Sequence, residues 1–171
     1  MLPPLAGKRF KIKKTNAVDY YKGYEPENAV DRNYDTKYDS GDQGNAWPWL
    51  EVQLANKGLV QDVRMVTDHY RRIKNAHYCG GELMNAEVRV GESRVPLNHR
   101  GPIIREHHGK YLCGRYEGSA WDGTAVRISC GEPLYGEYVT VQLMDPLNTA
   151  RLSLQEIEIY ETGIRYIMCS Y

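Results

Sequence analysis

The segment from Glu27 to Asp42 carries seven Asp, Asn or Glu side chains within sixteen residues. So many oxygen donors in one short segment repel one another unless positive charge lies among them. The donors that have the spacing of positions 1, 3, 5 and 12 of an EF-hand loop are Asp31, Asn33, Asp35 and Asp42. That loop needs glycine at position 6, where this chain has Thr36, and a strand-like sequence follows rather than a helix. The segment indicates either a calcium loop of another kind or a polar loop of Asx turns.

Apolar residues elsewhere alternate with polar ones, which is the period of a half-buried β-strand. The predicted inward faces are Leu50, Val52 and Leu54, Val63 and Met65, Ala86, Val88 and Val90, Val126, Ile128 and Cys130, and Val139, Val141 and Leu143. Turn-rich spacers separate these runs, and no amphipathic helix of useful length is present. The pattern predicts an all-β fold, an antiparallel sandwich or barrel.

The last predicted strand changes phase along its length. Leu152 and Leu154 alternate in one phase and Ile157 and Ile159 in the other. Such a slip is typical of a β-bulge, which redirects side chains and frees carbonyl groups. We therefore expect a bulge at Gln155 and Glu156 that makes the Glu156 carboxylate available as a ligand.

Composition limits the classes of partner. A chain of 171 residues suits one domain, and its 22 basic and 22 acidic residues cancel. A neutral chain creates no field that favours nucleic acid or an anionic membrane. No apolar run approaches the length of a membrane span. The tandem His107–His108 has no helical i, i+4 face and no nucleophile partner, so we expect no enzymatic activity.

Four cysteines are present without a C-x-x-C pair, which argues against a zinc site. Cys113 and Cys130 flank turn residues and a strand-like run, and we expect a disulfide between them. Cys79 and Cys169 either pair or stay free. Disulfides persist in oxidising compartments, so we expect an extracellular or secreted protein.

Six motifs in order resemble the F-type lectin (fucolectin) domain, within the discoidin and coagulation-factor C-domain group. They lie at Pro26–Asn33, Pro48–Leu54, Val60–Met65, Ala86–Gly91, Gly136–Leu143 and Leu154–Tyr160. The resemblance covers roughly residues 5 to 161 and implies an antiparallel jelly-roll β-sandwich of about eight strands, the galactose-binding-domain-like fold. We expect one domain over residues 1–162, and residues 163–171 as a tail or added edge strand.

The resemblance also implies a bound calcium ion that organises the loops near the sugar site. Its matching ligands are the carbonyls of Asn28, Asn33 and Gln155 and the carboxylates of Asp31, Asp42 and Glu156. Asp42 stands where the family commonly has Ser, so three carboxylates would face one dication and bind it more strongly than two carboxylates and a hydroxyl.

The sugar-binding pattern of the family, a His, then Arg-x-Asp, then a further basic residue, is altered in this chain. No His lies between Gly41 and Pro48, and Glu82 replaces the second Arg. Basic and aromatic residues of the next segment supply other donors and platforms, unless they form only a solvated basic loop. The candidate ligand-binding residues are Asn45, His69, Arg71, Arg72, Lys74, His77 and Tyr78.

The sequence thus predicts a calcium-stabilised carbohydrate-recognition domain with altered, non-classical fucose specificity, whose partner is a glycan or glycoprotein. The alternative is a discoidin-like module that has lost sugar binding and recognises a protein receptor. Trp47 and Trp49 are either core residues or sugar platforms.

Overall fold

The computed structural model describes residues 7–41, 47–68, 83–120, 123–144 and 151–163. Seven strands cover most of this part of the chain: β1 (Ile12–Ala17), β2 (Tyr38–Asp39), β3 (Trp49–Thr67), β4 (Leu83–Gly91), β5 (Lys110–Ala120), β6 (Ala125–Leu143) and β7 (Ser153–Glu161). A 3-10 turn spans Pro26–Ala29, and a one-turn helix, α1, spans Arg105–His108. Every strand pair is antiparallel. The predicted all-β class is confirmed.

The two longest strands, β3 and β6, run together through both layers of the fold. Residues 49–53 of β3 pair with residues 138–142 of β6, and residues 58–66 pair with residues 125–136. The first layer adds β1, β4 and β5 to one half of this ribbon, and the second adds β7 and β2 to the other half. Because β3 and β6 each contribute to both layers, seven strands are enough to form the two layers of the described sandwich.

Paired glycines mark the bend of the ribbon. Gly58 lies opposite Gly136 in the β3–β6 register. A Cβ at Gly136 would lie 2.6 Å from the carbonyl oxygen of Gly91, and one at Gly58 would lie 2.7 Å from the Phe10 ring. Glycine at these two positions leaves room for the Gly91 backbone and for the Phe10 ring.

One hydrophobic core fills the space between the layers. It contains all fourteen residues of the predicted inward faces, together with residues of β7 and the chain before β2. The alternation in the sequence was therefore a correct guide to side-chain direction.

The predicted bulge in β7 is confirmed. Val66 pairs with Glu156 and Thr67 pairs with Leu154, so Gln155 is the extra residue. Leu154, on one side of the bulge, and Ile157, on the other, both lie in the core. The bulge accommodates the change of phase and leaves Glu156 on the outer face of the second layer.

The predicted disulfide between Cys113 and Cys130 is confirmed. It joins β5, at the edge of the first layer, to β6 in the second layer. Close approach of these strands needs Gly114, where a Cβ would lie 2.7 Å from Ile128 Cγ2. Cys79 and Cys169 lie outside the described residues, as does the predicted tail beyond Gly163.

A second, smaller cluster covers the outer face of the first layer. Val18, Trp49, Val95 and Ile103 are buried together beneath the connection between β4 and β5. Trp49 is thus a core residue, and its indole donates to the carbonyl oxygen of His99 at 3.3 Å. Among the described residues, no helix is long and apolar enough to cross a membrane.

Candidate functional site

Both layers of the sandwich end at the same place. In the first layer, Leu143 N donates to Pro48 O at 2.9 Å and Leu83 pairs with Ala120. In the second layer, Gly123 N donates to Asp68 O at 3.0 Å. Three peptide links join Ala120 to Gly123, a span of at most about 11 Å. The ends of the two layers are therefore neighbours.

Four connections between the layers start and finish at this end. The described residues that flank them are Gly41 and Trp47, Asp68 and Leu83, Ala120 and Gly123, and Met144 and Arg151. We call these eight residues and their strand termini the loop end. Connections at the end of a rigid sandwich are where binding residues are generally carried.

A groove of about 390 Å³ opens beside the loop end, along β4 and β5. Its lining residues are Asn85, Ala86, Glu87, Arg115, Tyr116, Glu117 and Met144. Asn85 shapes one wall, because its backbone has a φ of 47°. Its carbonyl accepts from Met144 N at 2.9 Å, and its side-chain oxygen accepts from Gly118 N at 3.0 Å.

Arg115 is held in the groove by a buried carboxylate. Glu87 accepts from Arg115 Nε at 2.6 Å and from Arg89 Nε at 3.0 Å. The Arg115 side chain is 58% exposed, whereas that of Glu87 is 4% exposed. The guanidinium is therefore fixed at one edge, and Arg115 lines the same groove as Tyr116. A fixed donor and an aromatic residue in one groove suit a polar ligand with an apolar face.

A second ion pair ties the loop end together. Lys37 Nζ contacts Asp68, lies 3.9 Å from Asp39 Oδ2 and sits 5.1 Å above the Tyr24 ring. The segment before β2 is thereby fixed to the end of β3. This contact positions the loop end, and no spacing pattern in the sequence indicated it.

The predicted calcium loop is folded as two successive Asx turns. Asp31 Oδ1 accepts from Asn33 N at 2.8 Å, and Asn33 Oδ1 accepts from Asp35 N at 3.0 Å. Thr36 Oγ1 donates to Asp31 Oδ2 at 2.7 Å. Asn28 uses its side-chain amide to donate to the carbonyl oxygens of Gly23 and Lys37. This is the arrangement expected from the Asx-turn interpretation.

Glu156 meets the loop from the bulge, as the sequence predicts, but its carboxylate is already occupied. Its side chain is fully buried and forms an ion pair with Arg9. The other carboxylate oxygen accepts from Arg32 N at 3.0 Å. Burial raises the pKa of Glu156, an effect that the Arg9 contact opposes.

Glu158 lies two residues further along the same face. It accepts from Tyr160 OH at 2.6 Å, Tyr34 OH at 2.9 Å and Arg64 Nη1 at 3.0 Å. Burial acts to raise the pKa of Glu158, but these hydrogen bonds and the nearby positive charges outweigh it and lower the pKa. Burial and the bond to Glu158 raise the pKa of Tyr160 to about 12.

Several of the predicted calcium ligands already have partners within the chain. Calcium takes six to eight oxygen ligands, and three of the predicted ones, the carboxylates of Asp31 and Glu156 and the carbonyl oxygen of Asn33, accept hydrogen bonds. No group of three His, Cys, Asp or Glu residues that could hold a metal occurs in the described part of the chain. One buried acceptor, Gln155 Oε1, has no partner there. Asp42 lies outside the described residues, so calcium binding by the complete set stays a prediction.

The candidate ligand-binding residues of the sequence, Asn45, His69, Arg71, Arg72, Lys74, His77 and Tyr78, lie outside the described residues. The residues that flank their two segments belong to the loop end. No sequence pattern indicates the groove, because Glu87 and Arg115 look like ordinary polar positions of two exposed strands.

No protein-family model and no curated protein matches the chain. Solved structures do match. The family 32 carbohydrate-binding module of C. perfringens NanJ, in complex with galactose, has a TM-score of 0.63 at 13% identity and covers 86% of this chain and 93% of that one. A Streptococcus pneumoniae fucose binding module has a TM-score of 0.61 at 17% identity, covering 88% and 92%.

A fucolectin from Morone saxatilis (striped bass) serum has a TM-score of 0.65 at 21% identity. It covers 86% of this chain, which spans 46% of the fucolectin chain. These structures share the discoidin-like, galactose-binding-like sandwich, and the chain has that fold.

Proposed function

We propose that the chain is a non-catalytic carbohydrate-binding domain that binds a glycan at the loop end. The observation that carries this proposal is the exposed Arg115 guanidinium, which buried Glu87 fixes in an open groove that Tyr116 also lines. The fold, shared with modules that bind galactose or fucose, supports the same class of ligand.

Sugar recognition needs fixed donors as well as an apolar surface. A guanidinium whose inner edge is already bonded loses little further rotational freedom when its outer N–H groups donate to hydroxyl oxygens. Glu117 lines the same groove and supplies a carboxylate as an acceptor. These residues differ from the family's His and Arg-x-Asp pattern, so we infer a non-classical specificity rather than ordinary fucose binding.

An extracellular location fits this function. Glycans of glycoproteins are displayed mainly outside the cell, and the Cys113–Cys130 disulfide suits an oxidising compartment. We propose a secreted domain or an ectodomain, with a glycan or glycoprotein as its partner.

The test is a glycan array, with and without calcium, on the wild type and on Arg115→Ala. We expect a saturable signal that free sugar competes away, and a loss of about tenfold or more in affinity for Arg115→Ala, because hydrogen bonds to a charged donor are lost. Arg94→Ala is the matched control, since Arg94 is an exposed arginine on the connection after β4.

Two results would count against the proposal. Equal binding by the wild type and Arg115→Ala would exclude the groove as the site. A silent array together with a saturable protein ligand would favour the protein-recognition alternative.

A further inference from the structure

The two carboxylates on the outer face of β7 need a positive partner. Glu156 and Glu158 are two residues apart, and their side chains are 0% and 7% exposed. Like charges with so little access to water are costly unless a cation neutralises them. Arg9 contacts both, with Nη2 on Glu156 Oε1 and Nη1 3.6 Å from Glu158 Oε1. Glu158 has a second partner in Arg64 Nη1 at 3.0 Å, so Arg9 is the ion-pair partner of Glu156 in particular.

Arg9 is placed there by backbone pairing rather than by a flexible tail. Arg9 itself forms a β-bridge with Tyr160. Phe10 N donates to Ile159 O at 2.8 Å, and Glu161 N donates to Lys8 O at 2.9 Å. The segment 8–10 thus lies along β7, and this backbone pairing fixes the position of the Arg9 guanidinium.

The same carboxylates hold the loop of Asx turns. Arg32 N donates to Glu156 Oε2 at 3.0 Å, and Tyr34 OH donates to Glu158 Oε1 at 2.9 Å. Gln155 Nε2 adds a bond of 2.8 Å to Tyr34 O. Arg32 has a φ of 64°, an unusual conformation that needs such support. Docking of the loop therefore depends on Glu156, which Arg9 pairs with directly, and on Glu158, which Arg9 shares with Arg64.

We propose that the Arg9 guanidinium is the internal cation that docks the loop of residues 31–36 on β7, in the role that the sequence assigns to calcium. The domain then keeps this loop in place without a divalent metal. This inference is independent of the sugar-binding proposal, because it concerns the face of β7 and not the groove.

The first measurement is thermal unfolding of the whole chain in chelator and in millimolar calcium. We expect the wild-type midpoint to be the same in both. Arg9→Met should lower the unfolding midpoint by about 5 °C or more. The midpoint of Arg9→Lys should lie between those of the wild type and Arg9→Met, because lysine keeps the charge but loses the forked geometry. Arg127→Met, which removes an ion pair with Asp62 on the same layer, is the control for loss of an arginine alone.

The second measurement is amide hydrogen exchange, which separates loop docking from global stability. In Arg9→Met we expect the Arg32 amide, which donates to Glu156, to exchange about tenfold faster, while the Val63 amide within β3 is much less affected. In Arg127→Met the Arg32 amide should be unchanged.

Three results would overturn the inference. One is a wild-type midpoint that falls in chelator and recovers with calcium, which is what a calcium site predicts. Another is an Arg9→Met midpoint equal to that of the wild type. The third is an Arg32 amide that exchanges equally fast in both proteins.

Discussion

Replacing Glu51 with alanine should lower the free energy of unfolding by about 3–5 kcal/mol, the usual result of removing one partner of a buried ion pair. Glu51 and Lys110 are both fully buried, with Lys110 Nζ 2.8 Å from Glu51 Oε2. Burial lowers the pKa of Lys110 although the Glu51 carboxylate opposes that shift. Without Glu51, the ammonium group would lie in an apolar layer with no counter-charge.

Glu51→Ala would also remove hydrogen bonds that the Glu51 carboxylate accepts. Both Glu51 oxygens accept from Val95 N, at 3.1 and 3.2 Å, and one accepts from Thr140 Oγ1 at 3.2 Å. The carboxylate therefore anchors the connection between β4 and β5 over Trp49. We expect this connection to become accessible to protease in Glu51→Ala.

Urea unfolding measures the effect, with two matched variants. The double variant Glu51→Leu/Lys110→Met should be considerably more stable than Glu51→Ala, because apolar residues can often replace a buried ion pair. Glu92→Ala breaks the exposed pair between Lys57 and Glu92 and should leave the midpoint nearly unchanged. A Glu51→Ala midpoint equal to that of Glu92→Ala would refute the prediction.

Loss of the Cys113–Cys130 disulfide should lower the free energy of unfolding by about 3 kcal/mol, mainly because the unfolded chain regains the freedom of the closed loop. The two cysteines are 17 residues apart. Both belong to the core, so the bond also holds the edge of the first layer against the second.

Cys113→Ala/Cys130→Ala is the variant for this measurement, and urea unfolding without reductant compares it with the wild type. Cys79→Ala is the control, in which peptide mapping should still find the bond between Cys113 and Cys130. Equal midpoints for the wild type and the double variant would show that the bond adds nothing to stability.

The sequence was sufficient where side-chain direction follows from a simple period. Alternation identified the core, a change of phase located the bulge at Gln155, and turn residues around Cys113 and Cys130 indicated their pairing. Each of these signals is local, or depends on the one rule that apolar side chains share a face.

Contacts between distant segments could not be predicted in this way. Glu51 alternates like an exposed strand residue, yet the connection between β4 and β5 buries it. Arg9 lies 147 residues from Glu156 and belongs to no motif. The oxygen-rich segment predicted the need for positive charge near Glu156, but not that an arginine side chain would supply it.

The ribbon of β3 and β6 also determines how cooperatively the fold unfolds. Because each of these strands crosses both layers, neither layer can separate as a unit without breaking the pairing of the other. Native-state exchange should therefore show amides at Val52 and Val63, on opposite sides of the bend, opening with the same free energy. In a sandwich whose layers shared no strand, this coupling would be absent and the two layers could unfold separately.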